Sequence, residues 1–272
     1  MSERLVIIFF WLAFMTYAAA FVFYLYLFIN KRQILSIMAT SLAALGLLFQ
    51  TLSLAARWKS VGYIPVAGAF ESYFLFAWAL VLIVLVTETL NKTKVLGAWV
   101  MPFVGALLGI AWVKYESPER LSDVVKNSWI VMHVSVVFLA YAGFTIGAVF
   151  AVLYLIQQRQ LKQRHVNIFF RRLPSLEVLD DLSNKAISVA LPFMTMTIIT
   201  GMLKAIKEFP NWYFDPVVVS ATATWLLYGM YLGLRYLWDW QGRRIAYFAI
   251  AGFFSIFLIR VMTYFPIFHK FG

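Results

Sequence analysis

The chain contains no cysteine. That excludes a disulfide framework, a thiol nucleophile and any cofactor attached through a Cys-x-x-Cys-His motif. Charge is scarce too, at 13% of residues, against about 25% in a soluble domain. No polar stretch is long enough to form a soluble domain. No Walker loop, Rossmann glycine pattern, zinc-protease helix motif or serine triad is present, which removes the commonest phosphate-binding and hydrolytic classes. What remains is 63% hydrophobic and 18% aromatic, the composition of a polytopic helical membrane protein. The net charge of +11 is explained by basic residues at the inner ends of membrane spans. It therefore gives no reason to expect a nucleic-acid partner, and the surrounding partner is membrane lipid.

A membrane helix needs about 20 apolar residues. Eight such runs are present, at 5–29, 34–56, 68–88, 95–113, 128–157, 185–206, 216–237 and 245–268. The first is too long for the apolar region of a signal peptide, although Ala18-Ala19-Ala20 resembles a cleavage site. The expected fold is all-α, with about eight transmembrane helices in a single integral membrane domain over residues 1–272. With the N-terminus outside, thirteen of the 23 basic and five of the 12 acidic residues fall inside, a net of +8 against +3 outside. The bias places both termini outside. The longest inner connection, Gln158 to Ala186, contains Phe169-Phe170-Arg171-Arg172-Leu173 and then Leu176–Leu182, with apolar residues at helical spacing and basic residues flanking them. It reads as an interfacial amphipathic helix, bridging two spans or docking a partner.

Of three histidines, His133 falls just inside the fifth run, one helical turn after Trp129, so the two share a face. His269 follows Pro266 at the end of the eighth run. Both finish on the same side as the polar, aromatic-rich stretch from Lys207 to Pro216. Two neutral imidazoles at one membrane depth suit bis-histidine ligation of non-covalent haem b. Each alone reads first as an ordinary interfacial histidine, and the placement of both on one side, beside Trp212 and Phe214, brings haem ligation level with that reading. Trp212, Phe214 and Asp215 stand beside them in this topology. Lys204 and Lys207 either meet carboxylates such as haem propionates or snorkel to lipid headgroups. Glu71, at the start of the third run, is an intramembrane charge, as is Arg260. The two either pair, or Arg260 snorkels. His165 reads as a solvated surface residue. An aromatic belt accounts for most of the ten tryptophans.

Three stretches resemble the CcsA/ResC branch of the cytochrome c assembly proteins. The first is Ile64-Pro65-Val66-Ala67-Gly68-Ala69-Phe70-Glu71-Ser72-Tyr73 with Ala77-Trp78. The second runs from Trp129 through His133 to Ala142 and resembles the span carrying that family's first external haem histidine. The third begins at Leu173-Pro174-Ser175 and includes Leu179-Asp180-Asp181-Leu182-Ser183. It continues through Asp215-Pro216, Trp225 and Gln241-Gly242-Arg243 to His269. The family's outer signature, Trp-x-Trp-Asp-Pro-Lys-Glu-x-x-Trp, is here Trp212-Tyr213-Phe214-Asp215-Pro216-Val217-Val218-Val219-Ser220. Gly233 stands where the family has an intramembrane histidine. This pattern resembles a divergent, HemX-like member.

The resemblance implies a haem-binding protein of cytochrome c biogenesis in the cell's inner, cytoplasmic membrane. Haem b would lie at the outer face on His133 and His269, with at most one haem per chain. Trp129, Trp212, Phe214 and Asp215 would wall it, Glu71 would belong to its surroundings, and Lys204 or Lys207 would meet the propionates. The implied partners are another membrane subunit of the assembly system and apocytochrome c. The same two histidines would also serve a haem b subunit of a membrane electron-transfer complex. A haem-free regulator is a third reading, and it would show no Soret absorbance.

Overall fold

The computed structural model describes residues 2–30, 32–66, 68–91, 93–94, 96–116, 128–163, 171–208 and 211–262, leaving aside the side chains of Ser2, Lys207, Glu208 and residues 260–262. Among the described residues there are eight α-helices and no strand: α1 (Ser2–Asn30), α2 (Gln33–Val61), α3 (Ala69–Asn91), α4 (Leu96–Val113), α5 (Ser128–Gln163), α6 (Leu176–Glu208), α7 (Pro216–Leu237) and α8 (Arg243–Met262). Helices α1 to α7 are long and apolar enough to cross a membrane. In hydrocarbon every backbone N–H and C=O must be satisfied within its own segment, so long apolar runs resolve as helices. Pro102 and Pro192 lie inside α4 and α6, as membrane helices tolerate. The chain is an all-α, multi-pass membrane protein. Helix α8 covers the first part of the expected eighth span, and 263–268 lies outside the described residues.

Two boundaries differ from the sequence expectation in an informative way. The amphipathic segment at Leu176–Leu182 is not a separate interfacial helix. It is the first two turns of α6 and runs without a break into the span. No Pro or Gly separates Asp181 from Ala190, and Leu179 and Leu182 are buried, so the segment packs as helix instead of lying flat. Helix α2 runs to Val61, beyond the expected end at residue 56, and that draws Arg57 into a buried helical turn.

The chain divides into two compact units, Met1–Ser135 and Val136–Phe271. In the first, α1 packs along α2 and α4, and α3 packs on α4. Polar contacts at three levels show these helices to be antiparallel neighbours. Near one end, the Glu88 carboxylate accepts from Tyr24 Oη (3.0 Å), Thr40 Oγ1 (3.0 Å) and Lys94 Nζ (3.2 Å). At mid-depth, Tyr17 Oη donates to Gln50 Oε1 and Gln50 Nε2 donates to the Phe74 carbonyl, both at 2.7 Å. At the other end, Arg57 meets Glu71. Tyr17 and Gln50 are both fully buried. Such groups are costly in an apolar interior unless each is hydrogen-bonded, which fixes the register of α1, α2 and α3.

The second unit is held by close backbone approach. A Cβ placed on Gly143 or Gly147 of α5 would lie 2.7 Å from Ala190 Cβ or 2.6 Å from Ile187 Cγ1 of α6. This small-xxx-small spacing is what lets membrane helices pack backbone to backbone. Ser183 Oγ donates to the Gly147 carbonyl across the same seam at 2.8 Å. Phe144 stacks on Tyr228 of α7 with centroids 3.7 Å apart. Asp180 on α6 pairs with Arg235 on α7 and accepts from the Gly242 amide at the start of α8, so one carboxylate ties three helix ends together.

Candidate functional site

The aromatic stretch from Asn211 to Pro216 is a capped turn in the second unit. After Asn211, whose φ is +64°, Trp212–Phe214 form one 3-10 turn. Asp215 then caps α7: its Oδ1 accepts from the amides of Val217 (2.8 Å) and Val218 (3.4 Å). Pro216 fills the first helical position, where a missing N–H costs nothing. Asp215 is fully buried and Trp212 half-buried, whereas Tyr213 and Phe214 are 51% and 67% exposed. The turn therefore presents two bare aromatic faces on a backbone fixed from beneath. Tyr213 and Phe214 lie with ring centroids 4.6 Å apart. Below the turn, Trp225 Nε1 donates to Thr195 Oγ1 at 2.9 Å and joins α7 to α6. Lys204 is half-buried in the last turns of α6.

His133 stands on the second turn of α5, in the part that belongs to the first unit, and is half-buried, as is Trp129 one turn before it. The structure thus brings together Trp212, Phe214 and Asp215 in one turn, and Trp129 with His133 on one helix. The two groups fall in different units. His269, His165 and the side chains of Lys207 and Arg260 lie outside the described residues. Gly233, in place of the family's intramembrane histidine, has no neighbour within 4 Å of the position a Cβ would take.

Glu71 is buried in the first turn of α3. Its partner is Arg57: Nε and Nη2 both approach Glu71 Oε1 at 2.8 Å, with each side chain almost wholly buried. Arg57 Nη2 also donates to the Glu116 carbonyl at 3.0 Å. The guanidinium lies over Phe70 and Tyr115, 5.2 and 5.1 Å from their centroids. Burial pushes the Tyr115 phenol above its usual range, with Arg57 pulling the other way. The partner the structure gives Glu71 is thus Arg57, and the side chain of Arg260, the cation considered from the sequence, lies outside the described residues. Sequence reasoning had placed Arg57 in a loop. The available signal was its helical register in Ala55-Ala56-Arg57-Trp58, one turn from the helix end. Glu88, the last residue of the third apolar run, is likewise a buried acceptor.

Do these residues suit a haem? A macrocycle needs an imidazole within reach, aromatic walls and cations for its propionates. His133 is partly accessible on a helix end, Phe214 and Tyr213 offer uncovered rings, and Lys204 is half-buried. The residue set fits.

A family model described as "Cytochrome C assembly protein" matches residues 66–267. The chain is 32% identical over 249 residues to the cytochrome c biogenesis protein CcsA of Prochlorococcus marinus (strain MIT 9303), covering 80% of this chain and 78% of that protein. Similarity to the proteins of the same name in Pyropia yezoensis (28% over 261 residues, covering 81% and 82%) and Guillardia theta (30% over 230 residues, covering 76% of each) is of the same order.

Proposed function

The chain belongs to the cytochrome c assembly protein family, and from that premise we propose that it handles haem at the outer membrane face. Its role lies in cytochrome c biogenesis. Haem b would be held without covalent attachment, with His133 and His269 as the residues that would ligate its iron. Trp129, Trp212 and Phe214 wall it, Asp215 fixes the wall from below, and Lys204 and Lys207 meet the propionates. Glu71 acts at one remove, holding Arg57 and the helix ends around it. When bound, the haem iron supplies redox chemistry, and the protein sets access and polarity around it.

The observation that carries this reading is the capped turn with its two exposed rings. Exposed aromatic rings suit a flat, apolar ligand, and the half-buried Lys204 is a cation that would meet its carboxylate edge. The alternation of helices at each polar contact supports a chain that crosses the membrane at every helix. In that topology the start of α5, the end of α6 and the tail carrying His269 share one side. The family match spans both compact units, which supports one integral membrane domain. The cytoplasmic membrane of the cell is the proposed location. A second membrane subunit of the assembly system and apocytochrome c are the proposed partners.

The test is spectroscopic. Purified protein is expected to show a low-spin Soret band and at most one haem b per chain by pyridine-haemochrome assay. His133→Ala or His269→Ala should shift the band toward high spin and lower haem retention, because losing one axial ligand leaves a five-coordinate iron. The double substitution should remove most haem, non-additively, since both act on one ligand. His165→Ala should change nothing. A low-spin spectrum that survives both outer substitutions would overturn the assignment.

A further inference from the structure

Within the second unit, a cleft of about 540 Å³ opens between the last turns of α5 and the first turns of α8. Leu155 and Ile156 form its apolar part, and Arg159, Lys162 and Arg243 supply three positive charges around it, with Tyr247 beside them. Arg159, Lys162 and Arg243 are all exposed. Among the described residues no acidic side chain pairs with any of them. Asp180, which reaches the Gly242 amide just before α8, is already neutralised by Arg235. The positive charge of the cleft is therefore uncompensated within the described protein.

Two further features point to a ligand. Arg243 is held in place: its Nε and Nη2 donate to Tyr247 Oη at 3.2 and 3.1 Å, and its guanidinium lies 5.5 Å from the Tyr247 centroid. A preorganised guanidinium loses little freedom on meeting a phosphate. The lining also changes character at one level on both helices. On α5 the apolar run gives way after Ile156 to Gln157, Gln158 and Arg159. On α8 Arg243 and Arg244 precede the apolar run that begins at Ile245. Each helix thus passes from hydrocarbon to headgroup depth within the cleft. This is the side to which the charge bias assigns the net +8.

We propose that this cleft binds an anionic glycerophospholipid of the inner leaflet. The phosphodiester lies among Arg159, Lys162 and Arg243, and one acyl chain runs past Leu155 and Ile156. Basic pockets between membrane helices on the cytoplasmic side have the chemistry for such headgroups. A zwitterionic headgroup fits less well, because its own cation would enter the basic rim. A free phosphate would leave the apolar part unfilled. The proposal does not depend on haem binding.

Detergent-solubilised full-length protein would be titrated with phosphatidylglycerol, phosphatidylcholine and inorganic phosphate, reading bound lipid by native mass spectrometry and stability by thermal unfolding. Phosphatidylglycerol should be retained preferentially and raise the unfolding temperature, and inorganic phosphate alone should not. Each substitution among Arg159→Gln, Lys162→Gln and Arg243→Gln should weaken retention about five-fold. Arg159→Lys and Arg243→Lys should restore most of it. A variant with Arg4, Lys59 and Lys114 changed to Gln has the same net charge as the triple cleft variant and should retain lipid normally. Equal retention of the two lipids would overturn the site, as would retention unaffected by the triple substitution or lost equally in the charge-matched control. An equal shift from inorganic phosphate would make it a simple anion site instead.

Discussion

Arg57 shows how one residue can organise a helix end. A guanidinium with about 1% relative exposure survives in an apolar interior because Glu71, the Glu116 carbonyl and two aromatic faces surround it. Desolvating both ions is expensive, and the pair offsets that cost only while intact. Removing one partner strands the other. Arg57→Leu or Glu71→Leu alone should therefore destabilise the protein by about 3–5 kcal/mol. The double replacement by leucine should recover most of that loss. Thermal unfolding in detergent would read both, and a double variant as unstable as the sum of the singles would show that the pair is not the interaction that matters. The pairing itself was not legible in the sequence. The intramembrane position of Glu71 was plain, but its partner lies fourteen residues away on the preceding helix, across the connection between α2 and α3, and periodicity does not choose between Arg57 and Arg260. The same holds for Tyr24 with Glu88 and Tyr17 with Gln50, which meet across 64 and 33 residues.

At the scale of an element, the apolar runs predicted the helices closely because hydrocarbon leaves the backbone no other choice. The misses fall where helices leave the apolar zone. Polar residues such as Asp180, Asp181 and Ser183 neither break a helix nor mark its end. Helix α6 continues through them, and the sequence read as an interfacial segment is the part that meets Arg235 and Gly242. The start of α7 is the opposite case. Asp215-Pro216 is a strong helix-start signal, a capping side chain followed by a residue that has no N–H to satisfy. Asp215 stood out in the sequence as a wall of the haem site, and the role the structure shows for it is the cap. Asp215→Ala should cost about 1 kcal/mol and speed hydrogen exchange at the Val217 and Val218 amides. Asp215→Asn should keep most of the cap. If the alanine variant left exchange at those amides unchanged, the turn would be held by something other than its cap.

At the scale of the whole molecule, the question is which ends face out, and here the sequence and the contacts bear on different halves of the answer. The contacts fix alternation. Arg57, Glu71 and Glu116 bring together the end of α2, the start of α3 and the end of α4, while Tyr24, Thr40, Glu88 and Lys94 gather the opposite ends. Asp180, Arg235 and Gly242 do the same for the second unit. They cannot say which face is which, since antiparallel helices pack identically either way up. The basic residues do, because Lys and Arg are retained on the cytoplasmic side. A chain without cysteine allows a direct check, since each introduced thiol is the only one present. Single cysteines at Lys59 and Tyr213 should react with a membrane-impermeant maleimide in intact cells. Those at Gln163 and Gln241 should react only after the membrane is opened. These positions lie on both units, at helix ends or turns, and all four are exposed, so lack of labelling reflects the membrane and not packing. The reverse pattern would turn the molecule over. It would carry the aromatic turn and His133 to the cytoplasmic side and the basic cleft of α5 and α8 to the outer leaflet, and both binding proposals would have to be reassigned to the opposite faces.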